Sequence, residues 1–283
     1  LPDTFDIMVP RTDPVPVLLD SPHSGNRHPA DWRHAAPREA LLTAWDAYVD
    51  ELFNAAPDHG AALLRAFFPR TFIDLNRARD DVDPDLLEGQ MSFPAKPGRK
   101  SGKGFGLLRR YALPGIPVYD RLLPAADVER WIRVYYDPYH AALRRSLDVL
   151  HDRFGFVWHI DCHSMKSVGN AMNDDAGRPR ADFVVSDRDG TSADPALTRW
   201  IAELFRERGY SATVNDPYKG AELIAAYGDP SRNRHSIQIE VNRALYLDEA
   251  AFEKGPRFET IRADIGAVLE RIAQRARSEI GVS

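Results

Sequence analysis

Val157-Trp158-His159-Ile160-Asp161-Cys162-His163-Ser164 constrains this chain more than any other stretch. An aromatic and β-branched run stops at Asp-Cys-His-Ser and gives way to turn-forming residues from Met165 to Gly177. That is the pattern of a short buried strand bounded by a loop. In open α/β sheets, chemistry gathers just beyond the carboxyl ends of strands. His163 at such an end can offer one ring nitrogen to a ligand while Asp161, two residues earlier, orients the ring. Histidine is the commonest transition-metal ligand, and its second nitrogen usually needs such a partner. The plain alternative is a core histidine bonded to backbone.

A second stretch of the same design argues against that alternative. Val15-Pro16-Val17-Leu18-Leu19 runs into Asp20-Ser21-Pro22-His23-Ser24-Gly25, where the glycine lets backbone approach closely. His23 and His163 are distant in sequence, yet parallel strands can make them neighbours. A zinc site that keeps a water uses three protein ligands, and two histidines with one carboxylate is a common set.

The carboxylate is sought between Pro37 and Pro57. Leu41, Leu42, Trp45, Val49, Leu52 and Phe53 recur there at helical spacing. Asp46, Asp50 and Glu51 are the candidates, and on a helix Asp46 and Asp50 would share a face. Asp46 comes first because it follows Trp45 inside the apolar stripe, where an idle carboxylate is costly. A solvated acidic face is the alternative for each.

Two further segments carry charge that needs a reason. Pro69-Arg70-Thr71-Phe72-Ile73-Asp74-Leu75-Asn76-Arg77-Ala78-Arg79 packs three arginines and an asparagine around a short apolar alternation. Arginine suits forked carboxylate recognition and oxyanion stabilisation. Surface pairing with Asp80, Asp81 or Asp83 suits Arg79 better than Arg77. Glu240 lies inside Ile237-Gln238-Ile239-Glu240-Val241, a place for a charge only if it is paired or functional. A general base is the functional reading, and an ion pair with Arg243 the structural one.

Gly98-Arg99-Lys100-Ser101-Gly102-Lys103-Gly104 resembles a phosphate loop but is one residue short and lacks the closing Ser or Thr. A flexible loop or lid over residues 96–106 reads better. Ser164 has no glycine elbow for a nucleophile. Elsewhere the pattern gives irregular residues 1–14, a strand over Ala61–Phe68 and a long helix from Pro124 to Phe154 that Pro138 kinks or splits. It continues with strands over Asp182–Asp187, Ser211–Val214 and His235–Arg243. Helices follow at Thr198–Arg208 and Asp248–Ile280, the last interrupted near Gly255-Pro256.

Composition sets outer bounds. With 283 residues and 43% apolar content the chain can bury a sizeable core, and no repeat or linker divides it, so one domain over 1–283 is the expectation. A formal charge of −5 from 37 basic and 42 acidic residues gives nucleic acid no reason to bind. No apolar run is long enough for a membrane span. One cysteine rules out an internal disulfide and, with no secretory signal pattern, fits a cytoplasmic setting.

Taken together, Leu19–Gly25, Asp46–Phe53, Arg70–Arg79, Asp161–Ser164 and Tyr218–Glu249 resemble the N-formylglutamate amidohydrolase family. The resemblance implies the fold of zinc carboxypeptidases, aspartoacylase and succinylglutamate desuccinylase: α/β, a mixed and mainly parallel sheet with helices on both faces. Asp74-Leu75-Asn76-Arg77 is similar to the segment whose Asn and Arg hold a substrate carboxylate, and Arg70 to an upstream oxyanion-stabilising arginine. Arg79, Lys219 and Arg243 complete the candidate substrate-binding set. The wider superfamily has a Glu three residues after the first metal histidine. Asn26 stands there, so the carboxylate ligand has to come from Asp46, with Asp50 or Glu51 behind it.

The expected activity is zinc-dependent hydrolysis of an N-acyl amide on an acidic amino acid, most specifically N-formyl-L-glutamate to formate and glutamate. His23, Asp46 and His163 would hold Zn2+, and Glu240 and Arg70 would be catalytic. The rivals are a deacylase or carboxypeptidase for another N-acyl amino acid or peptide end, and a metal-free carboxylate-binding protein.

Overall fold

Alternation and burial decide the sheet. The computed structural model describes residues 3–169 and 175–281. Its main sheet has strands β1 (Phe5–Met8), β2 (Val17–Ser21), β3 (Ala62–Ala66), β4 (Val157–Met165), β5 (Phe183–Ser186), β6 (Ala212–Val214) and β7 (Arg234–Asn242). Their spatial order is β1-β3-β2-β4-β7-β5-β6. Strand β2 pairs in parallel with β3 and β4, β4 with β7, and β5 with β6, whereas β7 and β5 are antiparallel. The sheet is mixed and mainly parallel, as expected. Every residue of β2 and of β4 is buried, which is how strands read when helices cover both faces. Helices Pro195–Arg206 and Glu222–Tyr227 pack on the sheet, the first against β5 and β6, the second against β4 and β7.

By its internal contacts the chain divides into two compact units. The first comprises residues 3–6, Pro22–Trp45 and Ala66–Ala142. Its core is aromatic, with the Phe72 ring 5.0 Å from Trp131, 4.9 Å from Tyr135 and 5.6 Å from Trp32. The Trp131 and Tyr135 contacts are edge-to-face, an arrangement that favours ring pairs beyond their buried area. The second comprises Ile7–Ser21, Asp46–Arg65 and the described part of Leu143–Ser283, and it holds the centre of the sheet.

Several elements differ from the sequence reading. Residues 1–14 are not wholly irregular, because Phe5–Met8 joins the sheet as β1. Strand β4 does not stop at Asp-Cys-His-Ser but runs through it to Met165, so His163 sits within the ladder. Of the turn-rich stretch that follows, residues 170–174 lie outside the described residues.

The stripe from Pro37 to Pro57 is not one helix. It breaks into Arg38–Leu42, Val49–Leu52 and a 3-10 turn at Ala56–His59, with Tyr48 left-handed at φ 59°. Helical spacing buried Leu41, Val49, Leu52 and Phe53 all the same. Pro138 does split its segment. A π-helical turn, Ile132–Tyr136, separates helix Ala125–Trp131 from helix Asp137–Phe154. The wider turn accommodates a ring that has no N–H to give. Asp248–Lys254 is not helical, and the last helix begins at Phe258.

The glycine- and lysine-rich segment over residues 96–106 is tethered. Gly98 N–H and Ser101 Oγ both donate to Asp81 Oδ1, at 2.6 and 2.5 Å. A Cβ on Gly106 would stand 2.1 Å from Ser101 Oγ, so only glycine lets the segment close on that anchor.

Candidate active site

In the second unit the site grows out of the parallel ladder between β4 and β7. The register pairs Asp161 with Gln238 and His163 with Glu240, and side-chain alternation puts all four on one face of the sheet. His163 Nε2 lies 2.7 Å from Asp161 Oδ1, and Nδ1 lies 2.9 Å from Asp46 Oδ2. Burial works against a charged imidazole here. Asp161 and Asp46, with Glu240 nearby, outweigh it and hold the His163 pKa well above its ordinary value. Burial also raises the Asp161 pKa, and His163 pulls against it.

Asp46 is positioned from two sides. Arg243 Nη2 donates to its Oδ1 at 2.9 Å, and the same guanidinium donates through Nε to Ser164 Oγ at 3.0 Å. Tyr246 Oη fixes the neighbouring backbone through Ala47 O at 3.0 Å. Asp50 instead faces Arg65 at 3.5 Å, and Glu51 pairs with Lys254 at 2.6 Å. Of the three carboxylates proposed from the sequence, Asp46 is the one the structure sets beside His163. Glu240 is 8% exposed and accepts a hydrogen bond from Gln238 Nε2 at 2.8 Å. Lys219 is exposed and pairs with Asp189 at 2.7 Å.

In the first unit, His23 lies two residues past the end of β2. Its Nε2 is 2.7 Å from Asp74 Oδ1, and both side chains are fully buried. Asp74 Oδ1 also accepts from Asn76 N–H at 3.0 Å, while Oδ2 takes the Arg70 fork at 3.2 and 2.9 Å. Burial pushes the Asp74 pKa up, but Arg70, His23 and Arg77 hold it well below the usual carboxylate range. A fixed carboxylate on Nε2 orients the His23 ring, as carboxylates do for metal-binding imidazoles. The strand-end turn is pinned as well. Trp45 Nε1 donates to Ser24 O at 2.6 Å, and a Cβ on Gly25 would fall 2.2 Å from Phe67 C.

The other arginines of this segment are engaged locally. Arg77 donates through Nε to Phe105 O at 2.9 Å and through Nη1 to Asn76 O at 2.5 Å. Arg79 makes a forked pair with Asp137 at 2.8 and 3.1 Å, on the surface.

Sequence reasoning missed two partners. Asp74 was visible only as part of a substrate-binding segment, although Arg70 four residues earlier hints at a local ion pair. His159 carries no sequence signal of its own. Its Nε2 is 2.8 Å from Asp20 Oδ1 and its Nδ1 is 2.6 Å from Ser236 Oγ, all of it buried.

A metal ion fits the chemistry of these donors. Each candidate histidine has a buried carboxylate on one nitrogen, the partner that metal-binding imidazoles need. Two imidazoles and a carboxylate also suit zinc.

Comparison with known proteins makes this chain a hydrolase. The chain belongs to the N-formylglutamate amidohydrolase family, whose model matches residues 15–247. It is 31% identical over 264 residues to an N-formylglutamate deformylase of Pseudomonas aeruginosa, covering 91% of this chain and 92% of the relative. The corresponding protein of Pseudomonas putida is 31% identical over 239 residues, 83% of each chain. Among solved structures, an N-formylglutamate amidohydrolase from Ralstonia eutropha JMP134 superposes with a TM-score of 0.94 at 42% identity, covering 98% of this chain and 99% of that one. The gene product Atu2144 from Agrobacterium tumefaciens shares the fold, with a TM-score of 0.66 at 17% identity over 98% and 95% of the two chains.

Proposed function

We propose that this protein hydrolyses the N-formyl amide of N-formyl-L-glutamate, releasing formate and L-glutamate, with both compact units serving one hydrolase domain. The observation that carries the reading is the 42% identity across 98% of the chain to an N-formylglutamate amidohydrolase. The cofactor we assign is one Zn2+, held by His23, Asp46 and His163. When bound, the ion supplies Lewis-acid polarisation to water and to the amide carbonyl.

The chain's own residues do the rest. Glu240 takes a proton from the attacking water and returns it to the leaving amine, and Gln238 holds its Oε1 in place. Asp161 and Asp74 fix the tautomers of His163 and His23. Arg70 faces charge developing on the carbonyl oxygen, and Asn76 and Arg77 hold the substrate α-carboxylate. Arg243 acts through Asp46. Arg79 and Lys219, exposed and paired with carboxylates, draw an anionic substrate in from solution. A lone buried cysteine, Cys162, suits a cytoplasmic setting.

Formate release from N-formyl-L-glutamate, against a panel of N-acetyl, N-succinyl and peptide substrates, tests the activity. Preference for another acyl group would replace the substrate we name. Stripping the protein with a chelator should remove one zinc per chain and the activity together, and zinc should restore both. Full turnover by metal-free protein would remove the ion from the reading.

A further inference from the structure

Glutamate carries two carboxylates, and Asn76 and Arg77 account for one. Beyond the end of β4 the second unit gathers cations near Glu240 that no role above uses. The Arg180 side chain is 2% exposed and is locked in place by a forked pair with Asp175 at 2.7 and 2.9 Å. It also donates to Lys166 O at 3.1 Å, and its guanidinium lies 4.9 Å from the centre of the Tyr218 ring. Tyr218 and Arg180 both feel the charge of Glu240.

Lys166 follows β4 directly and is half-buried among Arg243, Arg180 and Glu249. Those neighbours are already committed: Arg243 to Asp46, Arg180 to Asp175, and Glu249 to Ser167 N–H and Oγ. Among the described residues, neither Lys166 Nζ nor the Tyr218 hydroxyl has a hydrogen-bond or ion-pair partner. A half-buried ammonium beside two guanidiniums, with no acceptor for its Nζ among the described residues, is costly unless an anion arrives; the Tyr218 ring lies against one of the same guanidiniums, that of Arg180.

We propose that Lys166, Tyr218 and Arg180 form the subsite for the side-chain carboxylate of the substrate, with Lys166 as its charge and Tyr218 as its neutral donor. Arg180 fixes the Tyr218 ring and adds field. The assignment rests on the N-acyl glutamate reading above and names what makes that site choose an acidic side chain. A carboxylate there meets a charge-assisted and a neutral donor, whereas a side-chain amide leaves the ammonium unpaired.

The test crosses two variants with two side chains. Lys166→Met should lower kcat/KM for N-formyl-L-glutamate on the order of 10²-fold, with little change for N-formyl-L-glutamine. Tyr218→Phe should do the same roughly tenfold. Binding of the product pair, L-glutamate against L-glutamine, is followed by calorimetry in parallel, and thermal melting confirms that each variant folds. The wild type should prefer glutamate, and Lys166→Met should erase the preference. Equal losses for both side chains, or a preference that survives in Lys166→Met, overturns the subsite. A wild type that binds glutamate selectively but releases no formate would instead sink the activity and leave the subsite standing.

Discussion

His159 and His163 stand four residues apart on the same face of the same strand, and each ring is held at both nitrogens. His159 has one carboxylate and one hydroxyl, Asp20 and Ser236. The three lie on β2, β4 and β7 and tie these adjacent strands together inside the core. His163 has two carboxylates, Asp161 and Asp46, with Glu240 in register beside it. One ring has its needs met by neutral and charged partners in balance. The other is surrounded by more negative charge than it can answer. That difference in surrounding charge, rather than the histidine itself, is what supports assigning the proposed zinc to His163 and not to His159.

Substitution can break that contrast. The largest effect should come from His163→Ala, which is expected to abolish zinc content and formate release together. Stoichiometric metal in the variant would show that His163 is no ligand. Glu240→Gln should follow, with kcat lower by roughly 10²–10⁴ and zinc unchanged. If zinc disappears with it, Glu240 is itself a ligand.

His159→Ala should do the opposite of His163→Ala. It removes the imidazole that joins Asp20 to Ser236 inside the core and should cost about 3–5 kcal/mol in denaturant unfolding, while the folded fraction keeps its kcat. A catalytic collapse with unchanged stability would erase the distinction between the two rings. Asp161→Asn sharpens it, since it should weaken zinc binding roughly 10–100-fold in a competition titration.

The smallest effect is expected at Asp50. Burial raises its pKa, against the pull of Arg65, so the folded state disfavours its ionised form at neutral pH. Asp50→Asn should therefore leave zinc content alone and slightly raise stability at pH 7. That gain should fade as pH falls and Asp50 in the wild type takes up its proton. Loss of zinc in this variant would move the ligand away from Asp46.

The strand ends were legible because the signal is local. Val157–Ser164 and Val15–Gly25 alternate or cluster apolar residues and then present a histidine, and both became buried central strands or their exits. Asp161 was legible for the same reason, since two residues along a strand is one face. Asp46 was legible by cost alone. Its apolar neighbours argued for a task, but the helix imagined around it broke at Tyr48.

The partners that span long sequence separations left no trace in local pattern. Asp74 reaches back 51 residues to His23, Arg243 reaches 197 residues to Asp46, and Asp20 reaches 139 residues to His159. No periodicity encodes such pairs, because only the folded topology creates them.

The β4–β7 ladder also says how this enzyme can drift. His163 and Glu240 face each other across about 4.8 Å of paired backbone, so the gap between them is a property of hydrogen-bond register, not of any loop. Substitutions that preserve the ladder leave the gap untouched, however many accumulate on the surface. Lengthening the connection between Ser186 and Arg234 leaves it untouched too. Deleting a single residue inside Val157–Met165 or Arg234–Asn242 would turn one partner to the opposite face. Lineages descending from this sequence should therefore vary freely in loop length and never in the length of these two strands.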